Sequence, residues 1–405
     1  MASSIVDTAP LVLDVGVVLV AAATMGFAAR RLGLPAVIGY LLTGLIVSPF
    51  TPGFVADSNQ LALLADIGVV LLLFEVGIEI DLKRISREQK SLFWSVPIQV
   101  LIGVLIGTPV FLWLGISTLG ALLLSLSIAM SSSVVIVNIT RSPRRRTDTL
   151  TEEAMLGWSV VQDVVGVSLA AIVLTIFGAN DRPLPIALGG LLGFALLAYI
   201  SSKFLPKLLR LVRWEKDLFL IYSVSVGLVL AALGTVVFGI PMALAGFVAG
   251  LAINQSHDTE EVRKAILPFR DLFAVLFFVV IGSLIQPAQL DKAWHFALLV
   301  LGLMVILKTV PTAILVKAGK LPVKPLQFAI GISQIGEFSF VLGSLAFSQG
   351  ALSIDQYTGV LVAVVISIMA STLRVRSVGA TKRLVQKIFL VIRVKGEAQP
   401  FDYTP

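Results

Sequence analysis

Three ionisable side chains fall inside long apolar stretches: Asp163, Lys308 and Glu337. Asp163 lies in Gly157-Trp-Ser-Val-Val-Gln-Asp-Val-Val-Gly166, within an apolar segment from Glu153 to Phe177. At ~1.5 Å per helical residue it is ~15 Å from the near end, close to the middle of a ~30 Å hydrocarbon layer. A charge at that depth costs at least ~2.5–3.5 kcal/mol, so such a group is expected to face a polar cavity. Gln162 adjoins it, and Ser159 and Gly166 share its helical face. Serine offers an oxygen; glycine lets another backbone approach. The set reads as a site for a cation or a proton. The competing reading is a hydrogen-bonded pair that only locks helix packing.

Lys308 stands midway through Ala293 to Val316, with Pro311 one turn on. A lone buried lysine should lose its proton or find a carboxylate. Asp163 is the natural one, and Glu337 is the alternative. Glu337 ends Gly331-Ile-Ser-Gln-Ile-Gly-Glu337, which also holds Gln334. Its reading stays open between a cap on a broken helix and a direct ligand. A second polar run, Ser131-Ser132-Ser133, falls at the same depth of an earlier span. It reads as a helix break with ligand oxygens, or as close packing by small residues.

These residues have to be positioned by membrane helices. The chain has 405 residues, of which 57% are hydrophobic and 14% charged, and its mean hydropathy is +0.98. Soluble domains carry roughly 25% charged residues. A net charge of +7 would suit nucleic acid only if it were clustered on a soluble face, and it is spread over short loops. Cysteine is absent, so neither a disulfide framework nor a thiol nucleophile is available. No P-loop, dinucleotide fingerprint, nucleophile elbow or zinc motif occurs, which argues against an enzyme and against a cofactor. His257 and His295 lie in or beside loops and form no metal cluster. Met1 to Pro10 has no basic leader, against a cleaved signal peptide.

Thirteen apolar spans are expected, at about 11–29, 34–50, 59–78, 92–114, 118–139, 153–177, 184–202, 217–238, 240–255, 270–287, 293–316, 325–347 and 356–374. All but three of the 31 Lys and Arg then fall on one side, which places the N-terminus outside and the C-terminus in the cytoplasm. An odd count suggests two six-helix repeats, inverted in the membrane and joined by a linker helix. That is a transporter architecture with a midplane site between discontinuous helices. The two polar runs occupy the fifth span of each repeat, so two broken helices are expected to cross. Glu75 and Asp66 lie nearer span ends; Glu79 and Asp81 read as interfacial. Ser256 to Asp271 reads as a surface linker helix, and residues 377–405 as an amphipathic and then disordered cytoplasmic tail lying against the bilayer.

Several motifs, spread over nearly the whole chain, resemble the membrane domain of Kef-type potassium/proton antiporters, within the monovalent cation:proton antiporter superfamily. They are Leu73-Phe-Glu-Val-Gly-Ile-Glu-Ile-Asp81, Ser131-Ser-Ser-Val134, Val161-Gln-Asp163, Gly239-Ile-Pro-Met-Ala-Leu-Ala-Gly-Phe-Val-Ala-Gly250, Pro268-Phe-Arg-Asp-Leu-Phe-Ala-Val-Leu-Phe-Phe278 and Ser333-Gln-Ile-Gly-Glu-Phe-Ser-Phe340. The resemblance implies a homodimer in the cell (inner) membrane, with a transmembrane domain over 1–376. It implies a core of spans about 92–177 and 293–374 moving elevator-like against dimerisation spans about 11–78 and 217–287. It makes Asp163 the alternating cation and proton carrier and matches Lys308 to a buried basic residue. Gln162 before Asp163 resembles the potassium branch. Kef-type chains usually continue into a nucleotide-binding regulatory domain; here it would be a further domain or subunit outside the chain. The expected activity is potassium/proton exchange, with sodium/proton exchange and a proton-independent cation channel as alternatives.

Overall fold

The computed structural model describes residues 9–52, 58–79, 90–132, 135–136, 149–177, 183–212, 214–253 and 259–371. The expectations resting on Ser133, the Glu79 side chain, Asp81, His257 and the 377–405 tail lie outside them. The described residues form helices and connecting turns without strand. In chain order they are α1 (Ala9–Leu32), α2 (Ala36–Ile46), α3 (Ser58–Glu79), α4 (Leu92–Trp113), α5 (Thr118–Ala129), α6 (Thr149–Phe177) and α7 (Leu184–Val212). Then follow α8 (Lys216–Val236), α9 (Met242–Ile253), α10 (Thr259–Ser283), α11 (Leu290–Ala318), α12 (Pro325–Gly331), α13 (Phe338–Ser348) and α14 (Ile354–Ser371).

Among the described residues, nine of these helices are long and apolar enough to cross a membrane. α2, α5, α9 and α13 are shorter apolar helices. Large apolar side chains such as Leu192 and Leu211 on α7 and Val236 on α8 stand exposed, as expected where the solvent is lipid.

Local chemistry sets the ends. α1 stops at Gly33, whose φ of 79° few residues with a side chain adopt, and Leu34 N–H closes the turn on Ala29 O at 2.9 Å. Pro35 then opens α2. The same chemistry recurs after α8, where Gly239 has φ 74° and Pro241 precedes α9. Gly33, Pro35, Gly44 and Leu45 match Gly239, Pro241, Gly250 and Leu251 at one constant offset.

The packing repeats as well. α1 lies on α2 as α8 lies on α9, and α2 lies on α10 as α9 lies on α3. α3 and α10 pack against each other, antiparallel, with Gly68 beside Phe273 and Glu75 beside Arg263. Exchanging the two halves leaves this pattern unchanged, as a two-fold axis between α3 and α10 requires. Glycines set the contact in both halves. A Cβ on Gly44 would lie 2.0 Å from Val279 O, and one on Gly77 would lie 2.3 Å from Phe247 O.

At α10 the structure differs from the expected pair of elements. The expected surface helix and the tenth span are one continuous helix, with Pro268 inside it. Val262 and Ile266 are fully buried, so the charged first turns are packed rather than laid on a surface. Arg263 and Arg270, two turns apart, both reach Glu75, which is 1% exposed, at 2.7 and 3.0 Å. Glu75 is therefore a buried anchor between α3 and α10.

Candidate functional site

The two expected breaks meet. α5 ends at Met130, whose backbone turns extended (φ −88°, ψ 144°). The second break runs between α12 and α13, from Ile332 to Glu337. A helix interrupted inside a membrane leaves carbonyls and amides that water cannot reach, so protein groups must satisfy them. Here each break satisfies the other. Met130 O accepts from Gly336 N–H at 3.0 Å, and Ser131 Oγ donates to Ile332 O at 2.8 Å. Ser339 Oγ donates to Ser127 O at 2.8 Å, and Gln334 Nε2 to Ser132 O at 3.4 Å. Ile335 N–H is taken by Ser367 Oγ of α14 at 3.0 Å. Gly336 is needed for the approach, since a Cβ there would sit 2.8 Å from Ser131 O.

Lys308 enters this crossing from α11. It is fully buried and donates to Met130 O and Gln334 O, each at 2.6 Å. One ammonium thus holds a carbonyl from each break. Lys308 lies in a π turn, Val305–Thr309. Pro311 explains it: proline has no N–H for Leu307 O, and the turn widens, with Val310 N–H bonding Val305 O.

Asp163, 2% exposed, sits on α6 within electrostatic reach of Lys308. Ser159, Gln162 and Gly166 are buried beside it. A Cβ on Gly166 would lie 2.5 Å from Met130 Sδ, so α6 packs directly against the first break. Gln162 Nε2 donates to Ala129 O at 2.9 Å and to Gln99 Oε1 of α4 at 2.5 Å. Glu337 is half-buried at the start of α13, and its side chain makes no capping hydrogen bond. Of the expected set, Asp163, Gln162, Ser159, Ser131, Ser132, Lys308 and Gln334 gather around the crossing; Ser133 lies outside the described residues.

Residues 17–378 match the transmembrane sodium/hydrogen exchanger family. The chain belongs to that family. It is similar to the protein called "Putative cation/proton antiporter YbaL" of Escherichia coli (strain K12), 29% identical over 381 residues, covering 89% of this chain and 67% of that protein. Among solved structures it resembles the sodium proton antiporter MjNhaP1 of Methanocaldococcus jannaschii at pH 8. The TM-score is 0.71 at 18% identity, over 92% of this chain and 98% of that one. A second MjNhaP1 structure, from an EM map, gives a TM-score of 0.61 over 95% and 98%. At these identities the structures share the fold.

For this exchanger family member, sequence reasoning missed Gln99, Ser127, Met130, Ser339 and Ser367. Gln99 has one readable signal, a lone carboxamide in an otherwise apolar span. Met130 contributes only its carbonyl, which no side-chain pattern reveals.

Proposed function

We propose that this chain exchanges a monovalent cation for protons by alternating access, with Asp163 as their shared carrier and potassium as the cation. One observation carries the reading: a buried carboxylate lies beside a lysine whose ammonium joins two interrupted helices. In one facing state the cation binds Asp163, with Ser159, Gln162 and the oxygens of Ser131, Ser132 and Ser133 replacing its water. In the other state a proton takes its place. Either partner neutralises the carboxylate, and the neutral form crosses the barrier more readily than the ionised one. One titrating carboxylate supports one-for-one exchange.

Potassium is favoured by the carboxamide of Gln162 beside Asp163, where a second carboxylate would give a stronger field. The sodium reading draws on the family's description and on the names of the solved relatives. The proposal includes an N-terminus outside, a cytoplasmic C-terminus, the cell inner membrane and a homodimer. Its moving core is α4 to α6 with α11 to α14.

The test uses liposomes holding an internal pH dye and an imposed proton gradient. Potassium, sodium, rubidium and lithium are added in turn, to wild type and to Asp163→Asn. Potassium-dependent proton movement lost in D163N is the expected result. Full activity in D163N would remove Asp163 from the mechanism. A response to sodium alone would overturn the selectivity, and cation flux without proton movement would make the protein a channel.

A further inference from the structure

We infer that Gln99 is a positioning residue for the exchange: it orients the carboxamide of Gln162 so that oxygen, not nitrogen, is offered to the transported cation. The inference rests on the cation-exchange reading of Asp163 and Gln162.

Gln99 lies on α4 and Gln162 on α6, and both are fully buried. α4 reaches the end of α5 because Gly103 has no side chain; a Cβ there would already lie 3.2 Å from Ala129 Cβ. That approach brings three groups together. Gln162 faces the main-chain oxygen of Ala129 at 2.9 Å and the side-chain oxygen of Gln99 at 2.5 Å.

The chemistry of the backbone decides which amide atom points where. A carbonyl only accepts, so the Gln162 atom facing Ala129 O is its nitrogen. That nitrogen has two hydrogens. One goes to Ala129 O, and the other to Gln99, whose facing atom is then its oxygen. A single backbone carbonyl fixes both amides in sequence.

Each contact does a different job. The bond to Ala129 sets where the Gln162 nitrogen sits. The bond to Gln99 sets the plane of the amide, and hence the direction of Oε1. With both hydrogens used, Gln162 Oε1 remains as a buried acceptor without a hydrogen-bond partner, and Ser159 Oγ one turn earlier is in the same condition. Two unsatisfied buried oxygens beside a carboxylate are costly to keep unless something positive takes them. A cation stripped of water is such a group. A neutral amide oxygen is a weaker-field ligand than a carboxylate, which suits a large, weakly hydrated ion over a small one.

Gln99→Met keeps the length and apolar bulk of the side chain and removes the acceptor. Wild type, Q99M, Gln162→Met and the double variant are compared by proton flux against potassium and sodium concentration. Cation-induced thermal stabilisation is measured alongside, so that a slow variant still reports binding. Q99M is expected to raise the apparent KM for potassium about tenfold with Vmax within about twofold, and to narrow the potassium-to-sodium preference. In the Q162M background it is expected to add less than about twofold, because it acts through that residue. An unchanged KM in Q99M overturns the inference. So does a full further rise in the Q162M background, which a merely structural role would give. If Q99M does not fold, Gln99→Asn replaces it: the shorter amide cannot reach Gln162, and the same non-additivity is expected. Failure of the exchange reading looks different, since wild-type vesicles would then show no cation-dependent proton movement.

Discussion

The ammonium of Lys308 lies 2.6 Å from the carbonyl oxygen of Met130. The same oxygen accepts the amide of Gly336, so one backbone atom joins α11 to both helix breaks. This makes the lysine structural before it is anything else. It closes carbonyls that lipid could not satisfy, and it places a positive charge near Asp163.

Lys308→Met removes that clamp. The carbonyls of Met130 and Gln334 lose their charged donor, and Asp163 loses its nearby cation. Stability is expected to fall by about 3–5 kcal/mol, the range for breaking a buried charge interaction. Lys308→Gln keeps amide donors of similar reach and is expected to recover part of the loss. Thermal unfolding in detergent ranks the three proteins. Equal melting of K308M and wild type would show that the clamp carries no stability.

Glycine contacts predict opposite outcomes at different helices. A Cβ on Gly77 meets Phe247 O at 2.3 Å, while one on Gly302, within α11, meets nothing within 4 Å. Gly77→Ala must push α3 off α9 and is expected to cost about 1–3 kcal/mol. Gly302→Ala is expected to be neutral or to stabilise by up to ~1 kcal/mol through helix propensity. The order of the two melting temperatures checks this, and a reversed order would refute the close packing.

Part of this was legible in the sequence for a simple physical reason. Asp163 and Lys308 are charges in apolar runs, and a charge there is costly enough to stand out. The breaks at Met130 and at Ile332 to Glu337 were legible because serine and glycine cluster where helix formers should continue. Gln99 was not, because an uncharged amide in a span means little until its partner is known. Glu75 was placed by depth alone, near a span end. Its burial depends on Arg263 and Arg270, far away in the chain and on a helix that was read as two pieces. The match of Gly33-Leu-Pro35 to Gly239-Ile-Pro241 is visible in the letters, yet only the paired packing of α2 and α9 shows that it matters.

Glu75 has a consequence of its own. It is 1% exposed, while the side chains of its two arginine partners are 28% and 25% exposed. Glu75→Ala strips both guanidinium groups of their buried carboxylate. A fully buried pair would cost about 3–5 kcal/mol; partial exposure of the arginines lowers the expected loss to about 2–3 kcal/mol. Because the contact joins α3 to α10, hydrogen exchange should rise first in the opening turns of α10, from Thr259 to Arg270. Exchange that rises instead around α5 and α12 would place the role of Glu75 elsewhere.

Ser131 and Ser339 bind the two breaks from opposite sides. Ser131 gives its hydroxyl to Ile332 O, and Ser339 gives its own to Ser127 O, both at 2.8 Å. Each alanine variant leaves one buried carbonyl short of a donor, at an expected cost of about 1–3 kcal/mol. The pair should not be additive. Once one bond is lost the crossing can relax, so the second substitution is expected to cost less, with a coupling of at least ~0.5 kcal/mol. Ser95 is the control. Its hydroxyl only bonds back to Ser91 O within the same helix turn, at 2.7 Å, and S95A is expected to stay within ~0.5 kcal/mol of wild type. Strict additivity of S131A and S339A would mean that the two breaks are held independently, by their own helices rather than by each other.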